Sequence, residues 1–231
     1  MKKPILLLCA FGLLSLISCK QDGGWVDLFN GSDLEGWEVK GAPESNFFVE
    51  DGILVAETKM GLPNTFLATT KNFANFELEV EFKVDIGMNS GVQIRSGVYE
   101  EPTTTPYLNG RLEEGTRDWE VGKVNGYQIE IDPSDRAWTG GFYEEGGRGW
   151  LVPLNENEQA RKAFKQGEWN HFRIIADGNH FQTWINGVLA VETTDDKASN
   201  GFIALQLHSI NNEDQLGLRV LWKNIRIHEL D

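Results

Sequence analysis

The chain is predicted to be all-β, a jelly-roll sandwich of two antiparallel sheets. Three features of the sequence predict this. Apolar runs are short, and turn signals recur at brief intervals. Several runs alternate apolar and polar residues with the two-residue period of a strand. Asp51-Gly52, Asp177-Gly178 and Asn186-Gly187 fall between such runs, where a tight hairpin turn needs residues that tolerate positive φ.

In chain order, strands are expected over 47–50 and 53–55, on either side of the first Asp-Gly pair, and over 66–70. From 76 to 84 the order Phe-Glu-Leu-Glu-Val-Glu-Phe-Lys-Val puts apolar groups on one face and charges on the other. Strands at 91–95 and 126–132 flank an irregular stretch, 97–125, rich in Pro, Thr, Glu and Gly. Stretches this long without a regular pattern are often functional. Glycine-rich segments at 138–143 and 146–151 come next, then one short helix over 155–164. Strands over 169–176, 180–185, 188–192, 201–209 and 218–230 complete the chain. Trp169 and Trp184 are read as core, and His171, His180 and His228 as surface or edge residues. No linker or repeat divides residues 25–231, so they are read as one domain.

The stretch from Gly126 to Asp132 carries the first sign of a site. Tyr127, Ile129 and Ile131 alternate with Gln128, Glu130 and Asp132. A strand face turned to water more often carries Thr, Ser or Lys than two acids and an amide. Two other strands repeat the pattern, with Gln93 and Arg95 on one and Gln206 and His208 on the other. If the three share a sheet, period two puts all seven polar groups on its outer face. Amides and planar charged groups suit sugar hydroxyls, which need donors and acceptors in fixed directions. Trp138, Tyr143 and Trp150, in the glycine-rich segments, could stack on a sugar face. The chain has no His-Glu-x-x-His, Walker loop, Gly-x-Ser-x-Gly or zinc spacing. Asp132, Glu130 and His208 leave room for a divalent metal, and no spacing requires a cofactor.

The N-terminus has its own logic. Lys2-Lys3 precede an apolar run from Ile5 to Ile17, shorter than the roughly 20 residues of a membrane-spanning helix. Cys19 follows, and the pattern resembles a bacterial lipoprotein signal, with residues 1–18 removed, Cys19 lipidated and 19–24 a tether. The only other cysteine, Cys9, lies inside that leader, so no disulfide or thiolate site is expected in the domain. The expected location is the cell envelope, on a lipid anchor at the periplasmic or outer-membrane face. The chain carries net charge −14; without the leader, 19 basic residues face 35 acidic ones. That excess argues against nucleic acid and against adsorption to anionic lipid.

Several short stretches together resemble one known family. They are Leu28-Phe29-Asn30-Gly31 with Gly36-Trp37, Asn89-Ser90-Gly91-Val92 with Arg95, Gly126 to Asp132, and Thr139 to Tyr143. Gly167 to Asn170, Ile185-Asn186-Gly187, Gly201 to His208 and Asn224 to Ile227 complete the set. In this order they resemble the 3-keto-disaccharide hydrolase domain, formerly a domain of unknown function. The resemblance implies a concanavalin-like jelly roll acting on di- or oligosaccharides or other glycosides oxidised at C3. It implies removal of the C2 hydrogen, elimination at C1 and hydration. In that scheme Glu130 or His208 is the base, Arg95 the electrostatic stabiliser, and Asp132 an orienting group or metal ligand. Gln93, Gln128 and Gln206 position the sugar. The family pattern has an acid where Gln128 stands and an amide where Glu130 stands, so the exchange leaves the position of the base open. The alternative is a non-catalytic, lectin-like carbohydrate-binding module.

Overall fold

Hydrophobic alternation sets where the two sheets of this protein meet. The computed structural model describes residues 24–231, so the expected leader, Cys19 and residues 20–23 of the tether lie outside the described residues. The strands are β1 (Trp25–Asp27), β2 (Trp37–Lys40), β3 (Asn46–Glu50), β4 (Ile53–Glu57), β5 (Thr65–Phe73), β6 (Phe76–Val84) and β7 (Ser90–Val98). They continue with β8 (Thr103–Leu108), β9 (Glu114–Trp119), β10 (Val124–Ile131), β11 (Phe142–Glu145) and β12 (Gly149–Val152). After helix α1 (Glu158–Ala163) come β13 (Asn170–Asp177), β14 (His180–Ile185), β15 (Val188–Thr194), β16 (Gly201–Leu207) and β17 (Arg219–Glu229).

Eight strands pair in the order β15-β14-β13-β6-β17-β4-β3, with β1 also on β17. Nine pair in the order β2-β5-β16-β7-β10-β11-β12-β8-β9. Pairing is antiparallel except for one parallel bridge between Gly149 of β12 and Leu108 of β8. The core lies between the sheets. Leu78, Val80 and Phe82 of β6, Phe172 and Ile174 of β13, and Trp222 of β17 face Val92 and Ile94 of β7, Tyr127 and Ile129 of β10, and Leu205 of β16. The Tyr127 ring lies 4.8 Å from that of Phe181, joining the layers. Each such buried side chain contributes about 1.5–3 kcal/mol.

The outer face of the eight-stranded sheet is a ladder of ion pairs. Arg173 meets Glu77 at 2.5 Å, Arg226 meets Glu79 at 2.6 Å and Arg219 meets Glu57 at 2.8 Å. Here Trp169 and Trp184 correct the sequence reading. They stand half-buried on this face, under Lys223 at 4.2 Å and Arg173 at 4.5 Å, Trp184 because its position in β14 points away from the core and Trp169 just ahead of β13. His171, His180 and His228 are half-exposed, as surface residues should be.

The stretch 97–125 is also a correction, because much of it is the β8–β9 hairpin. That hairpin explains how the nine-stranded sheet encloses space. In a flat sheet β5 and β9, seven strand spacings apart, would be separated by about 34 Å. Yet the Lys123 ammonium lies 5.9 Å from the ring of Phe66 on β5 and 5.7 Å from that of Trp119 on β9. The sheet therefore curls until its last hairpin arches over its own outer face.

Candidate functional site

Beneath that arch is a cleft of about 490 Å³. Its floor comes from adjacent strands. Register sets Gln128 opposite Gln93, and Glu130 opposite Gly91. Gln206 and His208 come from β16 and the residue after it, and Tyr143, Glu145 and Trp150 from β11 and β12. Asn64, Asn89, Lys123 and Arg136 enter from loops, and Tyr107, Arg117 and Trp119 from the arching hairpin.

Glu130 is the chemical centre of this floor. It is 6 % exposed, and no cation among the described residues pairs with its carboxylate. Asn89 Nδ2 donates to Oε1 at 2.8 Å and Gln128 Nε2 donates to Oε2 at 2.6 Å. Burial, with the nearby Asp132 and Glu145, pushes its pKa up to about 7, against the two amide donors, which lower it. Gln128 is itself oriented from behind. Gln93 Nε2 donates to Gln128 Oε1, and Ser96 Oγ donates to Gln93 Oε1 at 2.8 Å. Gln93 does not line the cleft; it fixes the residue that does.

Gly91 makes room for this arrangement. A Cβ there would lie 2.5 Å from Gln128 Cδ. Gly91→Ala is expected to push Gln128 off Glu130, removing a donor that favours the carboxylate. Turnover at neutral pH should fall about tenfold, and the Glu130 titration should move above 7. A pH–rate profile and a carbon-13 NMR titration of the Glu130 carboxyl check both.

Gln206 offers the clearest invitation to a ligand. It lines the cleft and is 1 % exposed, and neither its amide nitrogen nor its oxygen has a partner among the described residues. A buried amide without partners costs about 1–3 kcal/mol, which a ligand presenting one donor and one acceptor would recover. His208 donates from Nδ1 to the Ser209 carbonyl at 2.6 Å, since a carbonyl can only accept. In the neutral ring this leaves the lone pair on Nε2.

Three expected site residues lie elsewhere. Arg95 has φ +45, at a register shift between β7 and β16, so period two fails there. Its guanidinium is buried against the Ala74, Gly178 and Ala198 carbonyls and Asn75 Oδ1, and it pairs with no carboxylate in the cleft. Asp132 is just past the strand end. Its carboxylate takes the Ser134 N–H at 3.1 Å and faces Arg136 at 3.0 Å, rather than orienting His208. Trp138 is core, packed at 4.7 Å against Trp150, which does line the cleft with Tyr143. Among the described residues no three His, Cys, Asp or Glu side chains form a metal-holding group.

These features define a jelly-roll sandwich with a polar, sugar-sized cleft on the outer face of its curled sheet. Residues 24–228 match the model of the 3-keto-alpha-glucoside-1,2-lyase-like domain. The chain belongs to that family. No curated protein matches it. Among solved structures it is similar to a Parabacteroides distasonis protein provisionally described as a glycosyl hydrolase, with TM-score 0.57, 19% identity, and coverage of 90% of this chain and 94% of the other. The carbohydrate binding module CBM66 from Bacillus subtilis has TM-score 0.51 and 13% identity over 83% of this chain and 94% of its own. A Bacillus subtilis protein of galectin-like fold has TM-score 0.57 and 12% identity over 89% and 94%. At these identities the three likenesses concern the fold.

Proposed function

We infer that the domain cleaves 3-keto-glycosides by elimination followed by hydration. The observation that carries this reading is Glu130, an uncompensated carboxyl held near neutrality at the floor of a sugar-sized cleft beside the unpartnered Gln206. Family membership makes carbohydrate the substrate class.

A ketone at C3 acidifies the hydrogen on C2. Glu130 removes that proton, and the C–H electron pair enters the enolate. The enolate expels the glycosidic oxygen from C1, and that oxygen leaves with a proton. Water then adds across C1=C2, its hydroxyl to C1 and its proton to C2. His208, with Nε2 free, is the second proton-transfer group. Gln206 pairs its amide with a neighbouring ketone and hydroxyl. Arg136 lines the cleft and takes the place expected for Arg95, with its guanidinium 5.0 Å over Trp138 and 5.7 Å over Trp150. Asp132 Oδ2 lies 3.0 Å from the Arg136 Nε, a charge contact without a directional hydrogen bond. Two-carboxylate hydrolysis has less support, because Glu145, the other cleft carboxylate, is neutralised by Lys123 at 2.5 Å.

The test compares a methyl 3-keto-glucoside with its unoxidised parent, with and without divalent metal. Sugar release from the keto form alone is expected. No release under either condition removes the enzyme reading. Binding of an unoxidised glycan without turnover would leave a carbohydrate-binding module, which the amide-rich floor also suits. For the N-terminus we propose a lipid anchor at Cys19 in the cell envelope. Loss of membrane association in Cys19→Ala is the expected outcome.

A further inference from the structure

The cleft does not end at the arch. Pro63, Asn64, Arg117, Trp119 and Lys123 also line an adjoining groove of about 410 Å³. Gln128, Glu130, Gln206 and His208 line the first space only. A substrate that sits over Glu130 and extends into this groove passes Arg117.

Arg117 is unlike the other arginines on strands. Arg173, Arg219 and Arg226 are each paired with a glutamate, and Arg95 is bound to carbonyl and amide oxygens. The guanidinium of Arg117 has no hydrogen-bond acceptor and no carboxylate partner among the described residues. It is held instead by ring faces, 4.5 Å over Trp119 and 5.3 Å over Tyr107. Those rings fix the plane of the fork while leaving its N–H groups exposed. This happens in a chain with 35 acidic and 21 basic residues, where a carboxylate partner would be easy to supply.

The nearby acids do not neutralise it. Glu145 is bound to Lys123 at 2.5 Å. Asp118, the next residue on the strand, also lines the groove, but it makes no pair with Arg117 and accepts from Thr104 Oγ1 at 2.7 Å. Glu120 also lines the groove and is exposed, with no pair to Arg117. Lys123, the other cation of the groove, is already paired with Glu145, which leaves Arg117 as its unpaired cation among the described residues.

We propose that Arg117 is a specificity residue for substrates whose departing portion carries an anionic group, a carboxylate or a sulfate. This rests on the 3-keto-glycoside reading. The fork geometry of a guanidinium matches two oxygens of either group.

The test uses the full chain and 3-keto-glucosides with 4-carboxyphenyl, 4-sulfatophenyl or neutral 4-carbamoylphenyl aglycones. The readout is the ratio of kcat/KM for each anionic substrate to that for the neutral one, in wild type and in R117Q. Leaving-group reactivity and general loss of activity cancel in that comparison. The ratio is expected to fall about fivefold in R117Q, to fall less in R117K, and to shrink in wild type at about 0.5 M salt. The carboxylate and sulfate arms show which anion is preferred. An unchanged ratio in R117Q overturns the proposal. If no keto-glucoside turns over, the enzyme reading fails separately. Calorimetric binding of the unoxidised glucosides then decides the inference, and equal anionic-to-neutral affinity ratios in both proteins, or no binding at all, overturn it.

Discussion

Glu130→Gln is expected to lower turnover of a 3-keto-glucoside by about 10²–10⁴-fold while sugar binding persists. The side chain keeps its shape, its oxygen keeps the Gln128 donor and its new N–H meets Asn89, whose amide must turn over to accept it, but it can no longer accept a proton from carbon. In wild type the base must be ionised, so kcat/KM should rise as pH passes through about 7. The same substitution should affect stability in the opposite direction. The folded pKa of Glu130 is raised from 4.5, so its stabilising contribution is full below about 4.5 and is lost as pH rises through about 7. At pH 8 wild type bears the cost of a buried carboxylate, of order 3 kcal/mol. Glu130→Gln should therefore melt higher than wild type at pH 8, with the difference vanishing near pH 4. Urea titrations at the two pH values check this. Equal stabilities at both would mean that Glu130 is solvated, and the mechanistic assignment would lose its basis.

Much of this floor was legible from alternation alone. Gln128, Glu130 and Gln206 point outward because Tyr127, Ile129 and Leu205 must point into the core. Neighbouring strands in one sheet then bring them together. The same rule failed at Arg95, where positive φ and a shifted register turn the residue out of sequence with Gln93. Nothing in Gln93-Ile94-Arg95 signals that bulge, because period two assumes an unbroken ladder.

The arch was hidden for a different reason. β9 has five exposed residues before Trp119, so hydrophobic pattern gives it no signature. Its order arises from cross-strand pairing and from Trp119, whose Nε1 donates to Thr105 Oγ1 at 2.9 Å. The residues it delivers, Tyr107, Arg117 and Trp119, were consequently missed. Asn89, Lys123 and Arg136 were missed because loop residues reach a site through the curvature of the sheet, which no local period encodes. Glu145 could have been marked, since it repeats on β11 the acid-outward pattern of β10.

Arg95→Met is expected to destabilise the fold by about 3–5 kcal/mol, lowering the melting temperature by about 10 °C in a domain of this size. The reason is topological. Arg95 binds Ala74 and Asn75 in the turn from β5 to β6, Gly178 in the turn from β13 to β14, and Ala198 in the connection from β15 to β16. One side chain thus ties three connections at one end of the sandwich, and it is 1 % exposed with its guanidinium 5.0 Å over Phe181. Methionine fills the volume but leaves buried carbonyls without donors, and Arg95→Lys has too few donors in too narrow a spread to replace them. Because the guanidinium does not line the cleft, the folded fraction of Arg95→Met should retain turnover within a few-fold of wild type at 25 °C. Glu130→Gln should show the reverse, with stability kept and turnover lost. An Arg95→Met protein that melts like wild type but fails to turn over substrate would return Arg95 to the chemistry, and would mean that its bonds to the loops form only without ligand.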